Sequence, residues 1–380
     1  MAASYDVIVL GLGGMGSAAA YHLARRGKRV LGLEQFTSAH DRGSSHGRSR
    51  IIRQSYIEGP EYVPLLLRAY ELWRELELQT GRELLRITGG LMIGRPESAT
   101  VAGSLASARE HGLPHWMVDA ATLRDQSPFT PRDDEVALFD PAAGALFPEE
   151  CILAHALCAS NRGAELRFET PVTGWRVAGD GVEVEAGGER FTADRLIVTA
   201  GAWAGKLLAD LGLPLVPERN VLYWFWPKEN VERFRSDQLP VFIWEKLGHA
   251  FYGLPILREE GVKVGFHHSG IVANPDRLDR RVDRLEIAAI RACLRQSIAG
   301  LDGEPELTAV CMYTNTPDEQ FAVGLHPRHP QVAIAAGFSG HGFKFASVMG
   351  EILADLAIEG RTRHPLDLFR LDRFAAAPRA

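Results

Sequence analysis

Residues Tyr5 to Glu34 decide the fold of this chain. They read Tyr5-Asp-Val-Ile-Val-Leu10, then Gly11-Leu-Gly13-Gly-Met-Gly16, then the small-residue run Ser17-Ala-Ala-Ala20, and finally Arg29-Val-Leu-Gly-Leu33 followed by Glu34. Apolar runs of strand length flank a glycine-rich turn and a run of small residues. The order therefore predicts a strand, a tight turn, a helix, a second strand and an acid at its end.

Each glycine of the turn has a predicted role in binding a dinucleotide. Gly11 permits the tight turn, Gly13 lets the backbone approach a pyrophosphate, and Gly16 lets the helix pack closely on the strand. The pyrophosphate would lie at the helix N-terminus, where unpaired N–H groups favour an anion. Glu34 is placed to accept hydrogen bonds from an adenosine ribose. The motif leaves open whether the dinucleotide is NAD or FAD.

Composition places the chain among ordinary globular proteins. It has 380 residues, of which 46% are hydrophobic and 24% charged, and this length suggests two domains. A formal net charge of −6 argues against a nucleic-acid partner or an anionic membrane surface, and no apolar run reaches membrane-spanning length. The early glycine motif leaves no room for a cleaved signal peptide, and the cysteines form no CxxC pair. We expect a cytoplasmic protein without a metal site.

The middle of the chain predicts a β-meander. Short strands are expected at 164–168, 173–177, 181–185 and 189–192. A buried strand at 194–200 then rejoins the first sheet. We associate a meander in this position with FAD-binding Rossmann domains.

A second group of strands is rich in aromatic residues. These strands are predicted at 221–226, 241–244, 250–253 and 262–267, and they favour an antiparallel sheet. The predicted fold class is α/β, with an FAD-binding Rossmann-type domain and an inserted antiparallel-sheet substrate domain of α+β type. The expected limits are 1–85, 145–212 and 306–380 for the FAD-binding domain and 86–144 and 213–305 for the substrate domain.

Four segments carry a resemblance to a known family. They are Gly43-Ser-Ser-His-Gly47, Arg50-Ile-Ile-Arg53, Cys311-Met-Tyr-Thr-Asn-Thr-Pro-Asp-Glu319 and Gly337-Phe-Ser-Gly-His-Gly-Phe-Lys-Phe345. With the glycine motif, they resemble the family of monomeric sarcosine oxidase and N-methyltryptophan oxidase over nearly the whole chain. The resemblance implies an amine oxidase in which Cys311 holds FAD covalently, through a thioether at the flavin 8α carbon. From the residues alone, an inert buried cysteine is the alternative.

Arg53 and Lys344 are predicted to bind a substrate carboxylate. Lys344 lies at the expected start of a helix, where the dipole disfavours a cation, so a ligand role is more natural than a structural one. Arg53 could supply a bidentate contact, and the alternative is a salt bridge or a snorkelling side chain. In the family that the chain resembles, the matching arginine and lysine bind the carboxylate of the amino acid. Tyr252 matches a further active-site position, and Ile243 is expected on the pocket wall.

Lys263 alternates with apolar residues along a predicted strand. Its side chain lies on the face opposite to that of its two valine neighbours, and a solvated lysine is the usual outcome of such a pattern. The resemblance implies instead that Lys263 faces the flavin and activates oxygen, since a fixed cation stabilises developing negative charge. By the same resemblance Arg50 and His46 lie near the flavin ring and His267 and Tyr252 in the active site, although His46 could equally cap a turn.

The sequence thus predicts a complete set of site residues and a reaction. The catalytic set is Lys263, Arg50, His46, His267 and Tyr252, and the cofactor-binding set is Gly11, Gly13, Gly16, Glu34, Ser44, Arg50, Val172, Cys311, Gly340, Gly342 and Lys344. The expected reaction oxidises an N-methyl amino acid with O2 to the demethylated amino acid, formaldehyde and H2O2. Sarcosine is the first substrate, and N-methyltryptophan or another bulky or cyclic secondary amino acid is the alternative. More distant alternatives are an NAD(P)-dependent dehydrogenase and a non-catalytic flavin-binding subunit. We expect a monomer.

Overall fold

The glycine motif opens the first sheet of the structure. A computed structural model describes residues 4–246 and 249–374. In chain order the strands are β1 (Ser4–Leu10), β2 (Val30–Leu33), β3 (Arg50–Ile52), β4 (Leu85–Ile87), β5 (Gly90–Gly94), β6 (Trp116–Asp119), β7 (Val136–Asp140), β8 (Gly144–Leu146), β9 (Glu165–Arg167), β10 (Val172–Ala178), β11 (Gly181–Ala186), β12 (Glu189–Val198), β13 (Val216–Phe225), β14 (Val241–Lys246), β15 (His249–Leu254), β16 (Val262–Phe266), β17 (Ile271–Val272), β18 (Leu307–Asn315), β19 (Ala322–His326) and β20 (His329–Ala336). The α-helices are α1 (Gly14–Arg25), α2 (Val63–Thr80), α3 (Ala99–Glu110), α4 (Ala120–Gln126), α5 (Pro148–Ser160), α6 (Ala204–Leu207), α7 (Arg284–Arg295) and α8 (Ala346–Glu359).

The first sheet is built outward from β1. This strand pairs in parallel with β2 on one side and with β12 on the other, and β9 and β20 extend the parallel pairing. Val7 and Val9 belong to the core cluster that contains α1, α5 and α8, whereas Ile8 and Leu10 belong to the cluster that contains the β11–β12 hairpin. Alternate residues of β1 therefore fill two cores, as expected for a parallel strand that is covered on both faces.

Close approach between α1 and β1 depends on two glycines. Gly11 has a left-handed φ of +84°, and a Cβ there would lie 2.7 Å from the Thr199 carbonyl oxygen. A Cβ at Gly16 would lie 1.8 Å from the Gly11 carbonyl oxygen. Any side chain at Gly16 would push the helix away from the turn.

The meander differs from its prediction at both ends. The segments predicted at 189–192 and 194–200 form one strand, β12, whose first half pairs with β11 and whose second half pairs with β1 and β20. One strand serves both pairings because no turn residue interrupts it. The segment predicted at 164–168 is β9, which pairs in parallel with β2. It follows α5, and such a helical crossover is what a parallel strand requires.

The aromatic strands form the predicted second sheet. Its order is β17-β13-β16-β15-β14-β5-β7-β6, with β18 on the other edge of β13, and all pairs are antiparallel except β14–β5. Its core contains Phe129, Phe242, Trp244 and Phe251, and α7 packs Ile290 and Leu294 against it. The α/β fold class with an antiparallel sheet inserted is confirmed. The strand β18, which follows the predicted limit at residue 305, pairs with β13 of this sheet.

The neighbouring strands β7 and β8 lie in different sheets. β7 joins the second sheet, whereas β8 pairs with β3 and β4 in a separate three-stranded sheet. The turn between them is held by Asp140, whose carboxylate accepts hydrogen bonds from the N–H groups of Gln54, Ser55 and Ala142 at 2.8, 2.8 and 2.9 Å. Among the described residues, no helix is long and apolar enough to cross a membrane.

Candidate active site

An open cavity of about 330 Å³ starts at the turn between β1 and α1. Most of the predicted cofactor-binding residues line it, namely Gly11, Gly13, Glu34, Ser44, Arg50, Val172, Gly340 and Gly342. Three do not. Gly16 packs against Gly11, and Cys311 and Lys344 are buried next in sequence to the lining residues Met312 and Phe343.

The N-terminus of α1 opens into this cavity. The helix begins directly after Gly13. Glycine has no side chain, so no side-chain hydrogen bond from this residue caps the N–H groups of the first turn. The Gly14 N–H donates to Ser45 Oγ at 3.3 Å, and a Cβ at Gly13 would meet only that oxygen, at 3.8 Å. Packing within the described chain therefore does not require glycine at residue 13. The space that it leaves suits a pyrophosphate at the helix N-terminus.

Glu34 closes the other end of the predicted motif. Its side chain is buried, and its carboxylate accepts hydrogen bonds from the backbone N–H groups of Leu12 at 2.9 Å and Phe36 at 3.1 Å. His40 Nε2 lies 3.4 Å from the same carboxylate. Because a carboxylate has about four acceptor positions, these contacts fix Glu34 and still leave it able to accept from a ribose hydroxyl.

Arg50 and Cys311 meet at the far end of the cavity. Arg50 Nη2 donates to the Ser44 carbonyl oxygen at 2.8 Å and lies 3.5 Å from Cys311 Sγ. Cys311, on β18, is 1% exposed, and its Sγ lies 3.6 Å from the same Ser44 carbonyl. The Cys311 thiol thus lies between a guanidinium and a backbone carbonyl oxygen. The loop before β3, Arg50 and Cys311 are therefore one cluster.

Lys263 is buried rather than solvated. It is 2% exposed, and its Nζ donates to the carbonyl oxygens of Gly47 at 2.8 Å and Ser49 at 2.6 Å. Burial, followed by the repulsion of Arg50, holds the pKa of Lys263 well below its ordinary value. β16 lies between β13 and β15 in the middle of the sheet, so both edges of the strand are paired, and the loop that contains Gly47 and Ser49 covers the face that carries Lys263.

His46 lies in the same cluster of cations. It is 4% exposed, and its Nε2 has no hydrogen-bond partner among the described residues. Burial, followed by the charges of Arg50 and Lys263, lowers the pKa of His46 to about 3. At neutral pH the imidazole is therefore uncharged and available for a hydrogen bond to a ligand.

Arg53 lies in a second buried cluster. Its guanidinium is 2% exposed, its Nη2 donates to Glu58 Oε2 at 2.7 Å, and its Nε–H has no partner in the described part of the chain. The guanidinium carbon lies 4.4 Å from the centre of the Tyr56 ring. Burial acts to raise the pKa of Glu58, but Arg53, His341 and Lys344 outweigh it and lower this pKa to about 2. Glu58 is thus a carboxylate already bound to the predicted carboxylate-binding arginine.

Lys344 faces the same cluster from the start of α8. It lies in a short 3-10 turn, Phe343–Phe345, directly before that helix. Its Nζ donates to the His341 carbonyl oxygen at 2.6 Å and lies 3.5 Å from the Tyr56 hydroxyl. Burial, followed by Arg53, holds the pKa of Lys344 well below its ordinary value. An anionic ligand between Arg53 and Lys344 would relieve this repulsion and restore the charge on Lys344.

His267, Tyr252 and Ile243 lie along the second sheet. Ile243 of β14 is directly opposite Tyr252 of β15. His267 follows β16, and its Nδ1 lies 3.3 Å from the hydroxyl of Tyr313. Burial lowers the pKa of His267 to about 3, and burial raises the pKa of Tyr252 to about 12, so both side chains are neutral at pH 7.

Four residues of these clusters were not predicted from the sequence. Tyr313 and His341 lie inside the quoted motifs, so a position-by-position reading of those motifs could have included them. Tyr56 and Glu58 follow the Arg50–Arg53 segment, where no pattern indicates that their side chains turn back onto Arg53. Only the structure shows that contact.

The fold and the site together define a dinucleotide-dependent oxidoreductase. The FAD-dependent oxidoreductase family profile matches residues 6–356. Monomeric sarcosine oxidase of Streptomyces avermitilis is 52% identical, over 100% of both chains. Monomeric sarcosine oxidase of Bacillus sp. (strain B-0618) is 42% identical over 98% of this chain and 97% of its own. N-methyl-L-tryptophan oxidase of Salmonella arizonae is 34% identical over 98% of this chain and 99% of its own.

The chain belongs to the family of FAD-dependent oxidoreductases that contains monomeric sarcosine oxidase and N-methyl-L-tryptophan oxidase, as its motifs predicted. This membership settles the choice between FAD and NAD that the glycine motif left open. Solved structures show the same fold. An unusual amino acid oxidase essential for nikkomycin biosynthesis has a TM-score of 0.83 at 25% identity over 97% of each chain. Glycine oxidase from Geobacillus kaustophilus has a TM-score of 0.80 at 22% identity over 97% of this chain and 99% of its own.

Proposed function

We propose that this chain is an FAD-dependent oxidase of a secondary amino acid, with sarcosine as its substrate. The proposed reaction converts sarcosine, O2 and water into glycine, formaldehyde and H2O2. One observation carries it: the buried Arg53, with a free Nε–H among the described residues, and the buried Lys344 both approach Tyr56 in a cluster that already holds the carboxylate of Glu58. The similarity to monomeric sarcosine oxidases supports the choice of amino acid.

In this proposal Arg53 and Lys344 bind the substrate carboxylate. The Arg53 Nε–H and one Nη–H present the fork that suits a carboxylate. Lys344 has three donors, and the described residues supply two acceptors for them. Glu58 would leave Arg53 when substrate binds, since two carboxylates on one arginine repel each other.

The same cations favour the reactive form of the amine. A secondary amine with a pKa of about 10 costs about 3–4 kcal/mol to deprotonate at a pH of about 7.5. Arg50, Arg53 and Lys344 lie around the proposed site and disfavour an ammonium there. His267 is neutral and can accept or donate a hydrogen bond at the amine.

Bound FAD supplies the electron acceptor for the amine and the reductant for oxygen. We propose that Cys311 attaches it through a thioether, and this role is supported by its place beside Arg50 and next in sequence to Met312, both of which line the cavity. Lys263, held by the Gly47 and Ser49 carbonyl oxygens, is the proposed cation at which oxygen is reduced. In this proposal His46 and Tyr252 line the part of the site next to the flavin, and Ile243 limits the space available to the substrate.

We further propose a cytoplasmic monomer whose FAD-binding and substrate domains have the limits given above, with β18 of the 306–380 segment extending the sheet of the substrate domain. All four cysteines are free, which is usual in a reducing compartment. Size-exclusion chromatography with light scattering would test the monomer. A mass near twice the 41.8 kDa of one chain would contradict it.

The deciding experiment is an anaerobic titration of the purified protein, followed by the flavin absorbance at about 450 nm. Sarcosine and N-methyl-L-tryptophan are added to parallel samples. Bleaching by sarcosine at lower concentration is the expected result. Preferential bleaching by N-methyl-L-tryptophan would move the substrate to the bulky class. A yellow protein that no secondary amino acid bleaches would contradict the oxidase function.

A further inference from the structure

A buried carboxylate outside the two clusters holds the turn that carries His267. Glu218 lies on β13, and it is 5% exposed. Across the sheet it is directly opposite Tyr313 of β18 on one side and Val272 of β17 on the other. It therefore lies beneath the turn between β16 and β17.

The carboxylate of Glu218 accepts hydrogen bonds from the whole turn. Oε1 accepts from the backbone N–H groups of Ser269 at 2.5 Å and Gly270 at 3.2 Å. Oε2 accepts from Asn315 Nδ2 at 2.5 Å and lies 3.2 Å from His268 Nδ1. Burial acts to raise the pKa of Glu218, but His268 and the two backbone N–H groups outweigh it and lower this pKa. Glu218 is therefore charged, and its charge is satisfied by donors on two segments.

The turn needs such an anchor because its backbone is strained. His268 has a φ of +61°, a conformation that is costly for a residue with a side chain. Gly270 has a φ of +74°, which glycine adopts freely. Two consecutive backbone N–H groups that point at one carboxylate oxygen fix this conformation.

The turn sets the position of His267 against Tyr313. The His267 N–H donates to the Ala250 carbonyl oxygen at 2.8 Å, which fixes the start of the turn, and Glu218 fixes its end. Tyr313 lines the cofactor cavity, and a Cβ at Gly340 would lie 2.4 Å from its ring. Tyr313 therefore cannot shift towards Gly340, and the His267–Tyr313 distance of 3.3 Å depends on the turn.

A second path connects the turn to the carboxylate-binding cluster. His268 Nε2 lies 3.9 Å from Glu319 Oε1. The Glu319 carbonyl oxygen is 3.0 Å from His341 Nε2, and the His341 carbonyl oxygen accepts from Lys344 at 2.6 Å. The first connection from Glu218 ends at His267 and Tyr313, the second ends at Lys344, and neither reaches Lys263.

We propose that Glu218 is a positioning residue for oxidation of the substrate: it holds the His267–Gly270 turn so that His267 and Tyr313 face the bound amino acid. This inference rests on the proposed oxidase function. Glu218 does not contact the substrate. It acts on the half-reaction in which the amino acid is oxidised and leaves the reaction with oxygen unchanged.

The test compares Glu218→Ala and Glu218→Gln with the matched control Glu286→Gln. Glu286 is a carboxylate that pairs with Arg219, the neighbour of Glu218 on β13, and its described hydrogen bonds do not reach the turn. The first measurement is hydrogen exchange of a peptide that contains Ser269 and Gly270, made on the holoenzyme without substrate. The second is the rate of flavin reduction by sarcosine and the rate of reoxidation by O2, measured separately by stopped flow.

In Glu218→Ala we expect exchange at the turn to rise by about 10- to 100-fold, since hydrogen bonds to a charged acceptor are lost. Flavin reduction should slow about tenfold or more while reoxidation changes less than about twofold. Glu218→Gln keeps an oxygen acceptor for the two backbone N–H groups. Its exchange at the turn and its rate of flavin reduction should therefore lie close to the wild-type values. Glu286→Gln should match the wild type in all three. Unchanged exchange in Glu218→Ala, or equal slowing of both half-reactions, would overturn the inference.

A second pair of variants decides the question if Glu218→Ala does not fold. His268→Asn keeps a donor and tolerates a positive φ, whereas His268→Ala keeps neither. Slower reduction in His268→Ala, with His268→Asn close to the wild type, supports the inference, and equal rates in the two variants refute it. If sarcosine and N-methyl-L-tryptophan both fail to reduce the wild type, the proposed function fails. Hydrogen exchange then still decides whether Glu218 holds the turn.

Discussion

Replacing Glu58 by glutamine should tighten the binding of carboxylate ligands. In the structure Glu58 Oε2 accepts a hydrogen bond from Arg53 Nη2 at 2.7 Å, and Arg53 is the proposed partner of the substrate carboxylate. Substrate and Glu58 therefore compete for one guanidinium. Glutamine has nearly the same shape but no charge, so it competes less well.

The size of the effect follows from the charge on Glu58. Burial opposes ionisation of Glu58, yet Arg53, His341 and Lys344 lower its pKa from 4.5 to about 2. That lowering corresponds to about 3 kcal/mol in favour of the carboxylate. A hydrogen bond from Arg53 to a neutral amide is weaker by about 1–2 kcal/mol than one to a carboxylate. The dissociation constant of a carboxylate ligand should therefore fall by about 5- to 30-fold.

The assay is a titration of the oxidised holoenzyme with acetate, followed by the change in the visible flavin spectrum. Acetate carries the carboxylate but cannot be oxidised as an amine. Glu61→Gln is the control, because Glu61 is an exposed carboxylate in the same segment and should leave acetate binding unchanged. If Glu58→Gln retains FAD and binds acetate no more tightly than the wild type, Glu58 and the ligand do not share Arg53.

The same substitution has a defined effect on stability against pH. The folded-state pKa of Glu58 lies below its ordinary value, so its contribution is complete above about pH 4.5 and is lost as the pH falls towards 2. The wild type should unfold with a higher free energy than Glu58→Gln at pH 6, and the difference should shrink through this acid range. Urea unfolding at several pH values measures it. A difference that stays constant down to pH 3 would assign the stabilisation to packing rather than to charge.

Three further substitutions test the proposed contacts to the cofactor and the proposed binding of the carboxylate by Arg53 and Lys344. Cys311→Ala should release the flavin into the supernatant after acid precipitation, whereas flavin that still precipitates with the variant would exclude Cys311 as the attachment point. Lys263→Met should slow reoxidation by about 100-fold or more, the typical loss when one preorganised charge is removed, and should change flavin reduction far less; equal slowing of both would remove Lys263 from the oxygen reaction. Lys344→Ala should weaken acetate binding by about 1.5–3 kcal/mol, the value of a charged hydrogen bond. An unchanged dissociation constant would mean that Lys344 does not bind the carboxylate.

The first sheet could be predicted from the sequence because its signals are local. Alternation along β1, the glycines of the turn and the position of Glu34 all lie within Tyr5–Glu34, and each element of that stretch agrees with the next. The meander was predicted less well. Whether a segment such as β9 pairs with its neighbour in sequence or with β2 depends on the crossover through α5, which no local pattern specifies.

The prediction of individual site residues depended on the resemblance to the family rather than on physical patterns in the sequence. Alternation along β16 places Lys263 opposite the apolar face, and alternation alone indicates solvent. Lys263 is buried because β13 and β15 pair with both edges of its strand and because the loop before β3 covers the face that carries its side chain. That loop is more than 200 residues away in sequence, as the separation of 216 between Lys263 and its acceptor Gly47 shows. A period of two residues cannot report what covers the second face of a sheet.

The buried ammonium groups of Lys263 and Lys344 are held in the same way, but the charges around them differ. Each ammonium is held by backbone carbonyl oxygens, which are dipoles and do not neutralise its charge. The pKa of each is therefore lowered by burial and by a neighbouring arginine. Near Lys344 and Arg53 a carboxylate, Glu58, pairs directly with the arginine, so this cluster is suited to exchanging one carboxylate for another. Lys263 has only carbonyl oxygens as its hydrogen-bond acceptors among the described residues; Arg50 lowers its pKa and Glu149 opposes that effect without contacting it. A transient anion would gain from a cation held in this way. The two lysines thus differ in the charges around them, and this difference supports the proposal that Lys344 binds the carboxylate and that oxygen is reduced at Lys263.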